Sequence, residues 1–453
     1  METSTQNNRI LNGVVWKQML LFFFPIFLGT LFQQLYNTVD AVILGRFVGK
    51  EALAAVGGSD AEIIALLVNF FVGLSSGASV GISQHYGARH QDSLRSAVCT
   101  ATWLAIFCGA ILTVAGMLLS PILLRAIKTP EEIFDHAAVY LRYYFIGMIP
   151  SMLYNMGSGI LRAVGDSKRP LYYLMVCCAA NIGLDLLLVC VIPLGTAGAA
   201  IATSLSQVIC AALVLQALLR TKDIYRLKLN RSSFSSSQLS RMLRIGLPAG
   251  MQSSMYSISN IFVQTAINTL GTDSIAAWAA FRKIDAVYWP VSNAIGITVM
   301  TFVGQNFGAR QYDRLKKTIH SGLLIHLAIT LFFTSVSILF RSPLISMFNN
   351  DAQVRQIGEV ILLQISPFYC FYIITEVFSG AMRGVGESLK PAFLTMFGTC
   401  ILRLAYLFLF AYHTSSNAKI AFCYPLSWAI TAVLFLIYYY RGHWLHSHIR
   451  QQS

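Results

Sequence analysis

Apolar runs of about 20 residues, each long enough to cross roughly 30 Å of hydrocarbon as a helix, recur along this chain from Trp16 to Tyr440. Twelve can be counted, centred near residues 30, 70, 108, 148, 182, 208, 257, 288, 330, 370, 401 and 430. A bilayer interior offers no water to backbone N–H and C=O groups, so spans of this length must be helical. The alternative, a soluble protein with buried amphipathic helices, needs far more charge than this chain has. Of 453 residues, 56% are hydrophobic and 11% charged, and the mean hydropathy is +0.61. The expected fold class is all-α integral membrane, with twelve transmembrane helices. Residues 1–14 are polar, and the first apolar run has no small-residue cleavage pattern, so no cleavable leader is expected.

The net charge of +14 orients the chain rather than suiting it to nucleic acid. With the N-terminus inside, the cytoplasmic loops hold Arg89 and Arg95, Arg162, Lys168 and Arg169, Arg310, Arg314, Lys316 and Lys317, and Arg383 and Lys390. The central stretch adds Arg220, Lys222, Arg226, Lys228, Arg231, Arg241 and Arg244. This is the positive-inside bias, and it places both termini in the cytoplasm and the chain among membrane lipids. The nine cysteines form no metal spacing and read as small packing residues.

The chain repeats itself at an offset of about 221. GISQHYGARHQDSLRSAV (81–98) lies over FVGQNFGARQYDRLKKTI (302–319), and GILRAVGDSKRPLYYLM (159–175) over GAMRGVGESLKPAFLTM (380–396). Pro25 and Pro248 differ by 223, and Gly49 and Gly271 by 222. The matches concentrate in polar loops, where general apolarity cannot produce them. Six spans per repeat is an even number, so the repeats are parallel, two six-helix bundles related by a pseudo-twofold axis along the membrane normal. The expected organisation is an N-lobe over 1–219, a cytoplasmic linker over 220–244 and a C-lobe over 245–453. Two equivalent bundles suit alternating access.

Ionisable residues within spans are functional candidates, because each costs at least about 2.5–3.5 kcal/mol there. Gln33, Tyr36, Asn37 and Asp40 fall on one face of the first span, and Asn181 and Asp185 on one face of the fifth. The sixth span adds Thr203. Two carboxylates, a carboxamide and a hydroxyl make an oxygen-lined set suited to H⁺ or Na⁺. The other reading is that Asp40 and Asp185 only hydrogen-bond neighbouring helices.

Pro25, Gln33, Tyr36 and Asp40, then Asn181 and Asp185, then Thr203, with the paired GDSKRP and GESLKP loops, resemble the multidrug and toxic compound extrusion (MATE) family, bacterial type. The resemblance covers essentially the whole chain. It implies a cation-coupling site at Asp40, Asn181, Asp185 and Thr203, with Tyr140 and Asn155 as neighbours and a helix bend at Pro25. It also implies a monomeric antiporter of a bacterial cytoplasmic membrane that exports small organic cations in exchange for H⁺ or Na⁺, with antibiotic resistance as a consequence and no other cofactor.

The second half departs from this pattern. Asp40 aligns with Val263, and Arg403 stands near the position of the Asn181–Asp185 pair. The seventh span, LPAGMQSSMYSISN, lacks the glutamate of norfloxacin-exporter-like members, which puts a C-lobe sodium site of that type in doubt. Glu376 can contact a cationic substrate or pair with Arg403, and Asp285 can pair internally with Arg282 or Lys283 or serve transport. The alternative function is a flippase for a lipid-linked saccharide, which favours a cationic cavity for phosphate. A membrane enzyme is not expected, since no catalytic constellation is present.

Gly73-Leu74-Ser75-Ser76-Gly77 matches a nucleophile elbow but lacks its strand–turn–helix context. With Gly81 it reads as a small-residue stripe for close helix packing. The GDSKRP and GESLKP loops read as tight turns with Pro170 and Pro391 opening the next helix. The sequon Asn230-Arg231-Ser232 falls in the expected linker and should be unused.

Overall fold

A computed structural model describes residues 8–127, 129–228, 233–411, 416–442 and 444–450. The Asn230-Arg231-Ser232 sequon lies outside them. The described residues are predominantly helical, with no strand among them, and all twelve apolar runs coincide with helices. Among the described residues, nine helical stretches are long and apolar enough to cross a membrane. The chain is a multi-pass membrane protein.

The chain divides into two compact units. One is built from Leu21–Gly250, the other from Arg9–Leu20 and the chain from Met251 on. The division therefore runs through two long helices, α2 (Val15–Phe47) and α10 (Ser236–Asn268).

The first unit continues from α2 through a short α3 (Lys50–Ala54) and a π-helical turn (Ala55–Asp60) into α4 (Ala61–Gly87). Then come α5 (Gln91–Ala126), α6 (Glu131–Ile146), α7 (Met148–Ala163) and α8 (Lys168–Asp185), which passes through a second π turn (Leu186–Val191) before α9 (Gly195–Arg220). The start of α10 packs on α4 through the glycine stripe. A Cβ on Gly77 would strike the Met242 carbonyl and the Gly246 backbone, and one on Gly73 the Gly250 backbone, whereas Gly81 faces open space. Two of the three stripe glycines thus set the helix approach.

In the second unit a short α1 (Arg9–Asn12) is held by Arg314, whose Nε donates to the Ile10 carbonyl at 2.9 Å and whose Nη2 donates to that of Gly13. Past Gly250, α10 leads to α11 (Thr272–Asp285), α12 (Tyr288–Gly308), α13 (Tyr312–Leu339), α14 (Arg341–Ser346) and α15 (Ala352–Ile365). There follow α16 (Tyr369–Val385), α17 (Leu389–Thr395), α18 (Leu402–Tyr406), α19 (Asn417–Ala421), α20 (Cys423–Arg441) and α21 (Trp444–Arg450). Phe107, Leu118 and Ile122 on α5 and Leu324, Phe332 and Leu339 on α13 are exposed, as a surface against hydrocarbon requires.

The repeat read from the loops recurs in the backbone. Arg89 and Arg310 both adopt the left-handed region, at φ 57° and 58°, which a side chain with a Cβ seldom does. Gly165 and Gly386 do so at φ 96° and 101° and close matching helix ends. Gly165 N donates to Arg162 O at 2.9 Å and Gly386 N to Arg383 O at 2.8 Å. Beyond them, Asp166 pairs with Arg169 at 3.2 Å and Glu387 with Lys390 at 3.8 Å, again 221 apart. These loops are tight turns with prolines early in the next helix. The fourth span breaks at Gly147 and the tenth at Ser366–Phe368, which is the same point in each half.

Candidate functional site

The candidate site lies in the first unit, where α2, α8 and α9 bring polar side chains into an apolar interior. Asp40 and Tyr36, one helical turn apart on α2, are buried at 7% and 8% exposure. Asn181 and Asp185, one turn apart at the end of α8, are buried completely or nearly so, at 1% and 0%, and Thr203 on α9 is buried as well. The expected face of the first span is split: Gln33 and Asn37 are exposed while Tyr36 and Asp40 turn inward.

Among the described residues, neither polar atom of the Asn181 carboxamide, neither carboxylate oxygen of Asp185 and not Oδ1 of Asp40 has a hydrogen-bond partner. Asp40 and Asp185 lie within electrostatic reach of one another. The reading in which both merely hydrogen-bond neighbouring helices is therefore not what the structure has. An ionised, unpartnered carboxylate in such surroundings is strongly disfavoured.

Tyr140 on α6 is buried, stacked on Tyr144 with ring centroids 5.9 Å apart, and within reach of Asp40. Tyr36 packs with Leu174, Cys178 and Tyr154. Asn155 is placed elsewhere: its amide donates to the Ser151 carbonyl at 2.9 Å, and it lines a small cavity with Phe71, Leu104 and Met152. Pro25 lies inside α2, where it has no N–H for the Leu21 carbonyl and weakens the helix locally. Immediately after Asp185 the α8 ladder widens into a π turn, a feature often found where a helix is shaped for function and one that has no sequence signature here.

The acidic candidates of the second unit are in a different state. Asp285, at the end of α11, accepts from Trp289 Nε1 at 2.7 Å and from the Tyr369 hydroxyl. Glu376 on α16 accepts from Tyr372 at 3.3 Å and lies against Gly296, where a Cβ would strike its Oε1. Arg403 does not pair with Glu376. Its guanidinium lies 4.4 Å above the Tyr424 ring and donates from Nε and Nη2 to Ser427 Oγ, each at 3.3 Å. Among the described residues the ion pairs include none of Asp285, Glu376 and Arg403. Around the acids stand Tyr288, Trp289, Tyr369, Tyr372 and Trp428, with Tyr288 and Tyr369 stacked at 4.2 Å.

One buried acid had no place in the sequence reading. Asp60 closes the π turn before α4 and is fully buried, with neither carboxylate oxygen partnered. Its setting, VGGSDAE, reads as a polar loop between spans, which hid it. No three His, Cys, Asp or Glu side chains among the described residues converge as a metal site. The oxygen-bearing side chains that could hold a sodium ion in this unit are those of Asp40, Asp185, Asn181 and Thr203.

Known proteins share this organisation. The MatE family model matches the chain twice, over residues 25–187 and 248–409, so that the matches begin on the two repeated prolines. The probable multidrug resistance protein YoeA of Bacillus subtilis is 29% identical over 435 residues, covering 94% of this chain and 93% of that one. The probable multidrug resistance protein YpnP of the same organism is 29% identical over 436 residues, covering 95% and 96%. A crystal structure of MATE in the bent conformation superposes with a TM-score of 0.91 at 23% identity, covering 99% of this chain and 100% of that one. An outward-facing multidrug resistance MATE family transporter of the MOP superfamily gives 0.88 at 23% identity, covering 97% and 98%. The two matched segments make up well over half of the chain, which therefore belongs to the MatE family, the multidrug and toxic compound extrusion transporters.

Proposed function

We propose that this protein is a multidrug efflux antiporter of a bacterial cytoplasmic membrane, with both termini in the cytoplasm, exporting organic, mostly cationic compounds in exchange for H⁺ or Na⁺ by alternating access. The observation that carries this reading is the set of buried oxygens on Asp40, Asp185 and Asn181 with no hydrogen-bond partner among the described residues. Such a set is stable only when loaded, and so ties the conformation of the first unit to a cation supplied from outside. Loading biases the equilibrium between outward-open and inward-open states only as far as the cation binds one state more tightly. The names of the relatives supply the class of cargo. Asp285 and Glu376, set among tyrosine and tryptophan rings, offer charge and π-faces suited to an organic cation.

The test uses purified protein in liposomes, with ethidium counterflow driven in turn by a proton gradient and a sodium gradient. The reading expects transport with at least one gradient and its loss in Asp40→Asn and Asp185→Asn. Unchanged transport in both variants would remove the coupling role. Flipping of a labelled lipid in the absence of any organic-cation transport would put a lipid-linked saccharide in place of the drug.

A further inference from the structure

Three sulfur-bearing side chains of the first unit line one small cavity in its interior, and the transport reading uses none of them. Cys108 stands halfway along α5, and Met152 and Met156 one turn apart on α7, so the two thioethers share a helix face. All three side chains are more than nine-tenths buried. The other walls are apolar apart from Ser75 on α4 and Asn155 on α7, and the space left has room for a single water-sized body.

The two sulfur-bearing helices approach closely at this level. A Cβ on Gly109, the residue after Cys108, would lie 2.6 Å from the Ile149 Cα, which precedes Met152 by about one turn. Backbones so near bring the Cys108 thiol and the thioethers across the cavity within reach of one ion. The buried thiols of α8 and α9 stand differently. Cys177 donates to the Ser206 carbonyl at 3.2 Å and Cys210 to the Tyr173 carbonyl at 3.5 Å, whereas Cys108 has no hydrogen bond among the described residues.

The donor set decides what such a cavity can take. The Ser75 hydroxyl donates to the Val72 carbonyl at 2.7 Å and the Asn155 amide to the Ser151 carbonyl at 2.9 Å, so both polar walls turn hydrogens onto their own helices. No charged side chain lines the space. A hard cation, which wants about six oxygens, would find two neutral ones. Thiolate and thioether sulfur instead select soft ions such as Cu⁺. The charge balance points the same way. A monovalent ion and one thiolate make a neutral pair, and two thioethers add no charge, whereas a divalent ion would leave a net positive charge in an apolar interior.

We infer that Cys108, Met152 and Met156 form a three-sulfur site for one monovalent soft cation, Cu⁺ or Ag⁺. Binding breaks the Cys108 S–H bond and forms a sulfur–metal bond; the proton leaves to water and no electron is transferred. The unbranched methionine side chains swing onto the ion without a shift of α7. The bound ion ties the middle of α5 to α7, just past the break of the fourth span at Gly147. The site shares no residue with the Asp40 set and stands independently of the coupling assignment.

The test is a titration of the purified full-length protein in detergent, without oxygen, in which bathocuproine disulfonate competes for Cu⁺ and reports the free ion by its colour. The parent protein is expected to hold one Cu⁺ more than Cys108→Ser. Met152→Leu and Met156→Leu conserve volume, and each should weaken binding of that ion by at least about tenfold. X-ray absorption of the parent at one equivalent of copper should show three sulfur neighbours. Unfolding temperatures without metal check that the variants are folded, and added Ag⁺ should raise that of the parent but not of Cys108→Ser. Equal copper content in the parent and Cys108→Ser overturns the inference, since the ion then sits on other thiols. Unchanged affinity in either methionine variant overturns it too, because Cys108 would then bind without the thioethers.

Discussion

The two halves keep one scaffold and treat their buried acids in opposite ways. In the first unit Asp185 and Asp60 have both oxygens, and Asp40 one, without a hydrogen-bond partner among the described residues. In the second, Asp285 receives two hydrogen bonds from aromatic side chains and Glu376 receives one. The loops that connect the spans have hardly diverged, down to the left-handed Arg89 and Arg310. Where α2 carries Asp40, α10 carries Val263, and both side chains are buried. A duplicated bundle can thus hold its architecture through loop and backbone geometry while the chemistry of the interior changes. An acid hydrogen-bonded by the protein is held by structure, whereas one without partners is, on the proposed function, free to take up and release a cation.

The sharpest way to break this comparison is to remove the unsatisfied charges. Asp40→Asn and Asp185→Asn are expected to reduce gradient-driven ethidium counterflow by about a hundredfold or more, since neither amide can take up and release a proton. Equilibrium ethidium binding should change little in either variant. Measured side by side, the two quantities separate loss of coupling from loss of the cargo site. If binding collapses with transport, the first-unit acids hold the cargo itself.

Glu376→Gln asks the converse question of the second unit. It keeps the acceptor for Tyr372 and removes the charge, so ethidium affinity should fall by about tenfold while the pH profile of counterflow keeps its shape. A shifted profile would mean that the second unit also titrates during the cycle, and the contrast between halves would narrow to one of degree.

Much of this arrangement was legible before any coordinates. Membrane spans announce themselves because about 20 apolar residues have no other stable use, and a repeat carried by polar loops survives where apolar helices blur together. Asp40, Asn181, Asp185 and Thr203 stood out because polar side chains in such runs are rare. Asp60 did not, since GGSD looks like a connection, and only the π turn folds it inward. Nor could spacing reveal what satisfies Asp285. Tyr369 is 84 residues away in sequence, and the hydrogen bond exists only once α11 and α16 are placed together. Gln33 and Asn37 show the limit of helical periodicity, which finds a face but not the neighbour it meets.

Tyr369→Phe tests whether the second-unit acids are held by structure rather than by a travelling ion. It removes one of two donors to Asp285 and leaves a buried acceptor short of a partner, which should destabilise the protein by about 1–2 kcal/mol. The expected result is a lower unfolding temperature in detergent with unaltered proton dependence of counterflow. A change in proton dependence without a change in stability would place Asp285 with the acids of the first unit.

The smallest expected effect concerns Arg403, which occupies the region where the first half has its Asn181–Asp185 pair. Its charge has no acidic partner among the ion pairs of the described residues and is accommodated by a flat contact on Tyr424 and a two-pronged hydrogen bond to Ser427. Both depend on the planar guanidinium, so Arg403→Lys keeps the charge and loses the fit. The variant should be less stable by about 0.5–1 kcal/mol, since the lysine ammonium keeps part of a buried cation–π contact that contributes about 2 kcal/mol when desolvated. Ethidium counterflow under either gradient should match that of the parent protein. If it slows instead, the buried cation takes part in transport, repelling a cationic cargo or drawing charge from Glu376 in some other state. The second half would then have exchanged a carboxylate site for a cationic one instead of retiring it, and the asymmetry would be one of sign.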